Sequence, residues 1–87
     1  MSQIRAQVRR AVELALDGQW DAAHRLVQQH EGETTADWIH AVLHKIEGDA
    51  GNSRYWYARA GKPERFPDEP RAELAEIRAA LDTGSGA

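Results

Sequence analysis

The chain has 87 residues, 41% of them apolar and 29% charged, which suits one small folded core and is too apolar for a disordered segment. Eleven basic against 14 acidic residues leave a net charge of -3 with the signs interspersed, so no basic stripe offers itself to nucleic acid. Cysteine is absent, which excludes disulfides and thiolate chemistry and leaves histidine and carboxylate as the metal ligands on hand.

Apolar spacing in the first stretch, Ser2 to Asp17, places Ile4, Val8, Ala11, Val12 and Ala15 on one side of a helix that Gly18 ends. Arg5, Arg9 and Arg10 fall towards the other side, with Glu13 four residues after Arg9. A second helix is predicted from about Gln19 to Gln29, with Trp20, Ala23, Leu26, Val27 and His30 inward; so short a turn makes the two antiparallel. After a break at residues 30–33, Thr34 or Thr35 is placed to cap a third helix, Ala36 to about Glu47, whose core face is Ile39, Val42 or Leu43, and Ile46. Gly48 stops it, Asp49 caps a fourth helix over residues 50–60, and the proline-rich segment 61–70 crosses as a loop that Phe66 pins to the core. Asp68 is placed to cap a fifth helix with Pro70 in its first turn and Leu74, Ile77 and Leu81 as its seam.

These elements give an all-α fold of five helices, two stacked antiparallel hairpins closed by a C-terminal helix. Residues 1–82 form one domain and 83–87 a flexible tail. No apolar run is long enough to cross a bilayer and none forms a signal peptide, so the expectation is a cytoplasmic chain with no membrane partner.

The two hairpins align at a period of thirty, with Gly18 over Gly48, Ala23 over Ser53, Leu26 over Trp56 and Val27 over Tyr57. A turn glycine, a small residue and then a large one resemble the tetratricopeptide helix pair, whose usual period is thirty-four. The chain is also similar to a set of small bacterial helical proteins. The shared residues are Ala36 to Ala41, Leu43 and His44, Glu47 to Asp49, Asn52, Tyr55 to Tyr57, and Arg59 to Gly61. That resemblance covers about a third of the chain and implies an all-helical fold without an assigned activity.

Two sets of residues carry candidate chemistry. His40 and His44, four apart, project from one side of the third helix with Glu47 a further turn on, a spacing that suits a divalent ion. Ala41 stands where a zinc protease has its glutamate, so no metalloprotease motif is present. The alternative is that both rings bond to neighbouring helices. His24 and His30, six apart, share no helix face and add nothing to the pair.

The other set is aromatic and charged. Trp38 with His40, His44, Glu47 and Arg54 is read as lining a groove between the third and fourth helices, of the kind that holds an extended peptide or carboxylate; the alternative makes Trp38 a core residue. Tyr55, four before Arg59, is read either as a partner-facing aromatic or as a lid on the 61–70 loop. The three serines and the absent phosphate loop support no catalytic centre and no cofactor. The leading expectation is thus a non-catalytic module for a protein or peptide partner, monomeric or homodimeric, with metal or small-ligand binding at His40, His44 and Glu47 as the alternative.

Overall fold

The computed structural model describes residues 3–65 and 68–84. Five helices follow in order: α1 Gln3–Leu16, α2 Trp20–Gln28, α3 Thr34–Ile46, α4 Ala50–Ala60 and α5 Pro70–Gly84. Among the described residues there is no strand, and no helix is long and apolar enough to cross a membrane. The all-α, five-helix expectation holds.

Helix α3 is the axis of the molecule, because α1, α2, α4 and α5 all pack against it. Nine consecutive residues, Ala36 to His44, are buried, so this helix has no solvent stripe over most of its length. Ile39, Ala41, Val42 and Leu43 meet Val8, Ala11 and Val12 of α1, Ala23 and Val27 of α2, and Leu74, Ile77 and Leu81 of α5 in one continuous core. Expectation left a choice between Val42 and Leu43; a helix surrounded by neighbours buries both. Ile46, expected inside, is exposed at the end of α3, and Ile4, also expected inside, is exposed at the start of α1 on a cleft shared with Thr35 and Leu81.

The helix ends show why the chain turns where it does. Glu33, in extended geometry, caps α3 by accepting from the Ala36 amide at 2.7 Å, so α3 starts at Thr34 and neither threonine is the cap. Asp37, in the first turn of α3, is fully buried and accepts from the Gly32 amide at 3.1 Å. Asp49 caps α4 as expected, accepting from the Asn52 amide at 3.2 Å. Gly48 at φ 86° and Gly61 at φ 69° turn the chain out of α3 and α4 through left-handed backbone that other residues resist. For α5 the cap is Glu69, which accepts from the Ala72 amide at 2.9 Å, while Asp68 pairs with Arg65. Residues 83 and 84 belong to α5 rather than to a tail, and Phe66 lies outside the described residues.

Helix α5 returns over α1 and α3. Arg5, expected on a solvated face, donates to the Leu81 carbonyl, and Arg9 pairs with Asp82 as well as with Glu13 at 3.7 Å. Between α3 and α4 the approach is close because Ser53 is small; its hydroxyl donates to the Ala41 carbonyl at 2.8 Å with no exposure.

Candidate functional site

Helix α3 carries polar residues on two opposite faces, and the structure separates them. A helix advances about 100° per residue, so Trp38 and His40 lie about 200° apart and cannot line one groove. Trp38 faces α5, where its indole N–H donates to Glu73 Oε2 at 2.8 Å. Glu73, fully buried, also accepts from the Tyr57 hydroxyl at 2.9 Å and from Lys45 Nζ at 2.6 Å. Lys45 continues to the Arg65 carbonyl at 2.8 Å and the Asp68 carbonyl at 3.1 Å, which ties the crossing loop to α3. Burial, and then the Glu73 carboxylate, raise the Tyr57 phenol above its ordinary pKa, so it stays a donor. Trp38 is therefore part of a satisfied ionic cluster on α5 rather than a wall of the expected groove.

The histidines look the other way, towards α2 and α4. On α2, Trp20 and His24 are one turn apart and stacked, ring centres 4.6 Å apart, with the Trp20 N–H held by the Leu43 carbonyl at 2.7 Å. On α3, His40 and His44 are also one turn apart, 5.0 Å between nearly parallel rings. The two pairs meet. His24 Nε2 lies 3.1 Å from His40 Nε2, and the His24 ring stands edge-on to both His40 and His44 at 4.9 and 5.3 Å. Trp56 of α4 closes the other face of His40, stacked at 3.9 Å. Each of the three imidazoles offers a ligand nitrogen, and these nitrogens all lie within 4.8 Å of one another.

Burial sets the protonation of this cluster. His40 is 2% exposed, and burial, reinforced by His24 and His44, holds its pKa down to about 3. His24, half-buried, is lowered for the same first reason and then by His44, with Glu47, Asp21 and Glu31 opposing. Both are neutral near pH 7, the state in which imidazole binds metal. His44 Nδ1 lies 2.7 Å from Glu47 Oε2, so an N–H there donates to the carboxylate and frees Nε2. The Nδ1 atom of His40 is buried with no hydrogen-bond partner.

His24 is the residue that sequence spacing missed. Comparison with His30 was the wrong test, since the partners of His24 are on α3; His30 lies beyond the end of α2 and bonds to Gln7 of α1. The detectable signal was a pair of one-turn aromatic repeats, Trp20 with His24 and His40 with His44, on consecutive helices. Of the residues expected at the site, His40 and His44 are together, and Glu47 sits on the second nitrogen of His44 rather than facing His40. Arg54 points elsewhere, paired with Glu64 at 3.3 Å. Tyr55 is 51% exposed and accepts from Arg59 Nη1 at 2.8 Å, while the same guanidinium lies 5.2 Å from the centre of the Trp56 ring. Two surface clefts, about 320 Å³ at the start of α2 and about 360 Å³ between Ile4, Val8, Thr35 and Leu81, include none of the histidines, although Trp20 lines the first.

Comparison with protein-family models, curated proteins and solved structures returned no match. The chemistry of the site is therefore read from its own geometry.

Proposed function

We propose that the chain binds a divalent transition-metal ion, zinc in the first instance, through His24, His40 and His44. The observation that carries this reading is the convergence of three imidazole nitrogens from two helices within 4.8 Å. Zinc–nitrogen bonds of about 2.0–2.1 Å in a tetrahedron put ligand nitrogens about 3.4 Å apart. The His24–His40 separation of 3.1 Å is already in that range, so α2 and α3 need no rearrangement to present two ligands. Glu47 on His44 Nδ1 supplies the outer carboxylate that fixes the tautomer and strengthens the ligand. All-nitrogen ligation favours zinc, copper or nickel over magnesium or calcium, which take oxygen.

Calorimetric titration of the full chain with zinc tests this. One ion is expected per chain, with binding weakened at least tenfold in each of His24→Ala, His40→Ala and His44→Ala, and about 10–100-fold in Glu47→Gln. Circular dichroism of each variant checks that it folds. Unchanged affinity in folded His24→Ala, or no binding at 100 µM zinc as order of magnitude, would sink the reading.

A protein- or peptide-binding surface is the second reading, supported by Tyr55, an exposed aromatic held upright by Arg59 beside Trp56. Tyrosine with arginine is the pairing enriched at interface centres. Alanine at both positions is expected to leave the melting temperature nearly unchanged while abolishing capture of the partner; a large loss of stability would make the pair structural.

A further inference from the structure

Tetrahedral coordination calls for four donors, and the histidine cluster supplies three. Among the described residues, the nearest carboxylates, Glu47 and Asp49, group with His44 but not with His24 and His40. Both also have other work. Glu47 is bonded to His44 Nδ1, and the two nitrogens of one imidazole diverge, so a carboxylate on Nδ1 is turned away from an ion on Nε2. Asp49 caps α4, accepting from the Asn52 amide at 3.2 Å and from its side-chain Nδ2 at 2.7 Å. The faces of the ligand rings are occupied as well, by Trp20 on His24 and Trp56 on His40. His24 is the partly exposed ligand, so the approach that remains is from the α2 side.

Resting on the metal-binding reading, we infer that the bound ion keeps one coordination position open to solvent on the α2 side, and that this position takes a small exchangeable donor, an imidazole or a small anion. Sites with three protein ligands and an exchangeable fourth are those where an ion meets a substrate or a side chain of another molecule, in contrast to closed structural sites.

The experiment uses the full chain loaded with Co²⁺, whose visible bands report coordination directly. Imidazole and sodium azide are titrated separately at constant ionic strength, and cobalt content is measured after each. The bands are expected to shift with each donor while cobalt stays bound. Bands indifferent to both donors, or cobalt stripped by imidazole without a shifted intermediate, would show a closed site and overturn the inference while leaving metal binding intact. Absence of any protein-bound cobalt spectrum would fell the metal-binding reading itself, and the inference with it.

Discussion

Glu73→Gln should be among the most destabilising single substitutions in the chain, and its size can be worked from the contacts. The carboxylate accepts from three donors, Trp38 Nε1, Tyr57 Oη and Lys45 Nζ, with side-chain exposure of 0% for Glu73 and 8% for Lys45. A glutamine offers one oxygen in place of two and turns an N–H₂ towards a donor, so at least one of the three loses its acceptor. It also leaves the Lys45 charge buried without its counter-ion. Breaking a buried pair in this way costs about 3–5 kcal/mol. The Arg65 and Asp68 carbonyls still solvate Lys45 Nζ, which argues for the lower end, about 3 kcal/mol. A domain of this size has roughly 4–13 kcal/mol in total, and each kilocalorie is worth roughly 4–8 °C, so a fall of at least about 12 °C is expected. Urea unfolding followed by circular dichroism measures it. Adding Lys45→Met to Glu73→Leu removes both charges and should recover much of the loss. A Glu73→Gln chain within about 1 kcal/mol of the parent would refute the view that this carboxylate anchors α5.

The other expectations concern the histidine face and the contact between α3 and α4. Zinc at a hundred times its dissociation constant should add about 2.7 kcal/mol, raising the melting temperature by roughly 10–20 °C, and His44→Ala at the same zinc concentration should remove at least about half of the gain. In metal-free protein, His40 binds a proton when unfolded near pH 6.5 but resists it when folded until about pH 3, so the unfolded state binds more protons between those values. Stability therefore falls as pH drops below 6.5, by up to about 1.4 kcal/mol per pH unit from this group, and chemical denaturation of His40→Gln at pH 7 and 4.5 should show a shallower slope. Ser53→Ala should cost about 0.5–1.5 kcal/mol for the lost bond to Ala41, whereas Ser53→Leu should cost more by forcing α3 and α4 apart; equal effects would deny the close approach.

Helix existence was legible because apolar spacing near 3.6 and the glycines at 18, 48 and 61 are local signals, and the helices end at or beside them. The depth of each residue was less so. Ile4 and Ile46 obey their helices' periodicity, yet both are exposed near a helix end, and how far other elements cover an end is not written in one helix's spacing. His40 and His44 were legible as a pair because one-turn spacing is covalent arithmetic. Their union with His24 depends on the register of α2 against α3, which no spacing within a single helix specifies. Trp38 is the instructive error: helical geometry alone put it opposite His40, and attention to residue type overrode the angle. Glu73 gave no warning at all, since a glutamate in the first turn of an amphipathic helix normally faces water.

The two polar faces of α3 differ in one respect that bears on what each is for. Around Glu73 the donors and acceptors match: the indole, the phenol and the ammonium all find oxygen, and the chain gains a fixed position for α5. Around His40 they do not. A neutral imidazole has one N–H and one lone pair, and His40 Nδ1 has no partner for either. An unmet buried lone pair costs less than an unmet N–H, so the metal-free ring should carry its proton on Nε2 and donate it to His24 Nε2 at 3.1 Å. Coordination through Nε2 then requires that proton to move to Nδ1, where nothing accepts it, at about 1–3 kcal/mol or one to two decades of affinity. Two stacked imidazoles met edge-on by a third, between two indoles, would be packed more stably as apolar side chains if packing were their purpose. The orphaned atom is Nδ1 and not the Nε2 that meets His24, so an ion on Nε2 leaves it unmet and its binding has to offset that cost, whereas the Glu73 face is complete in itself.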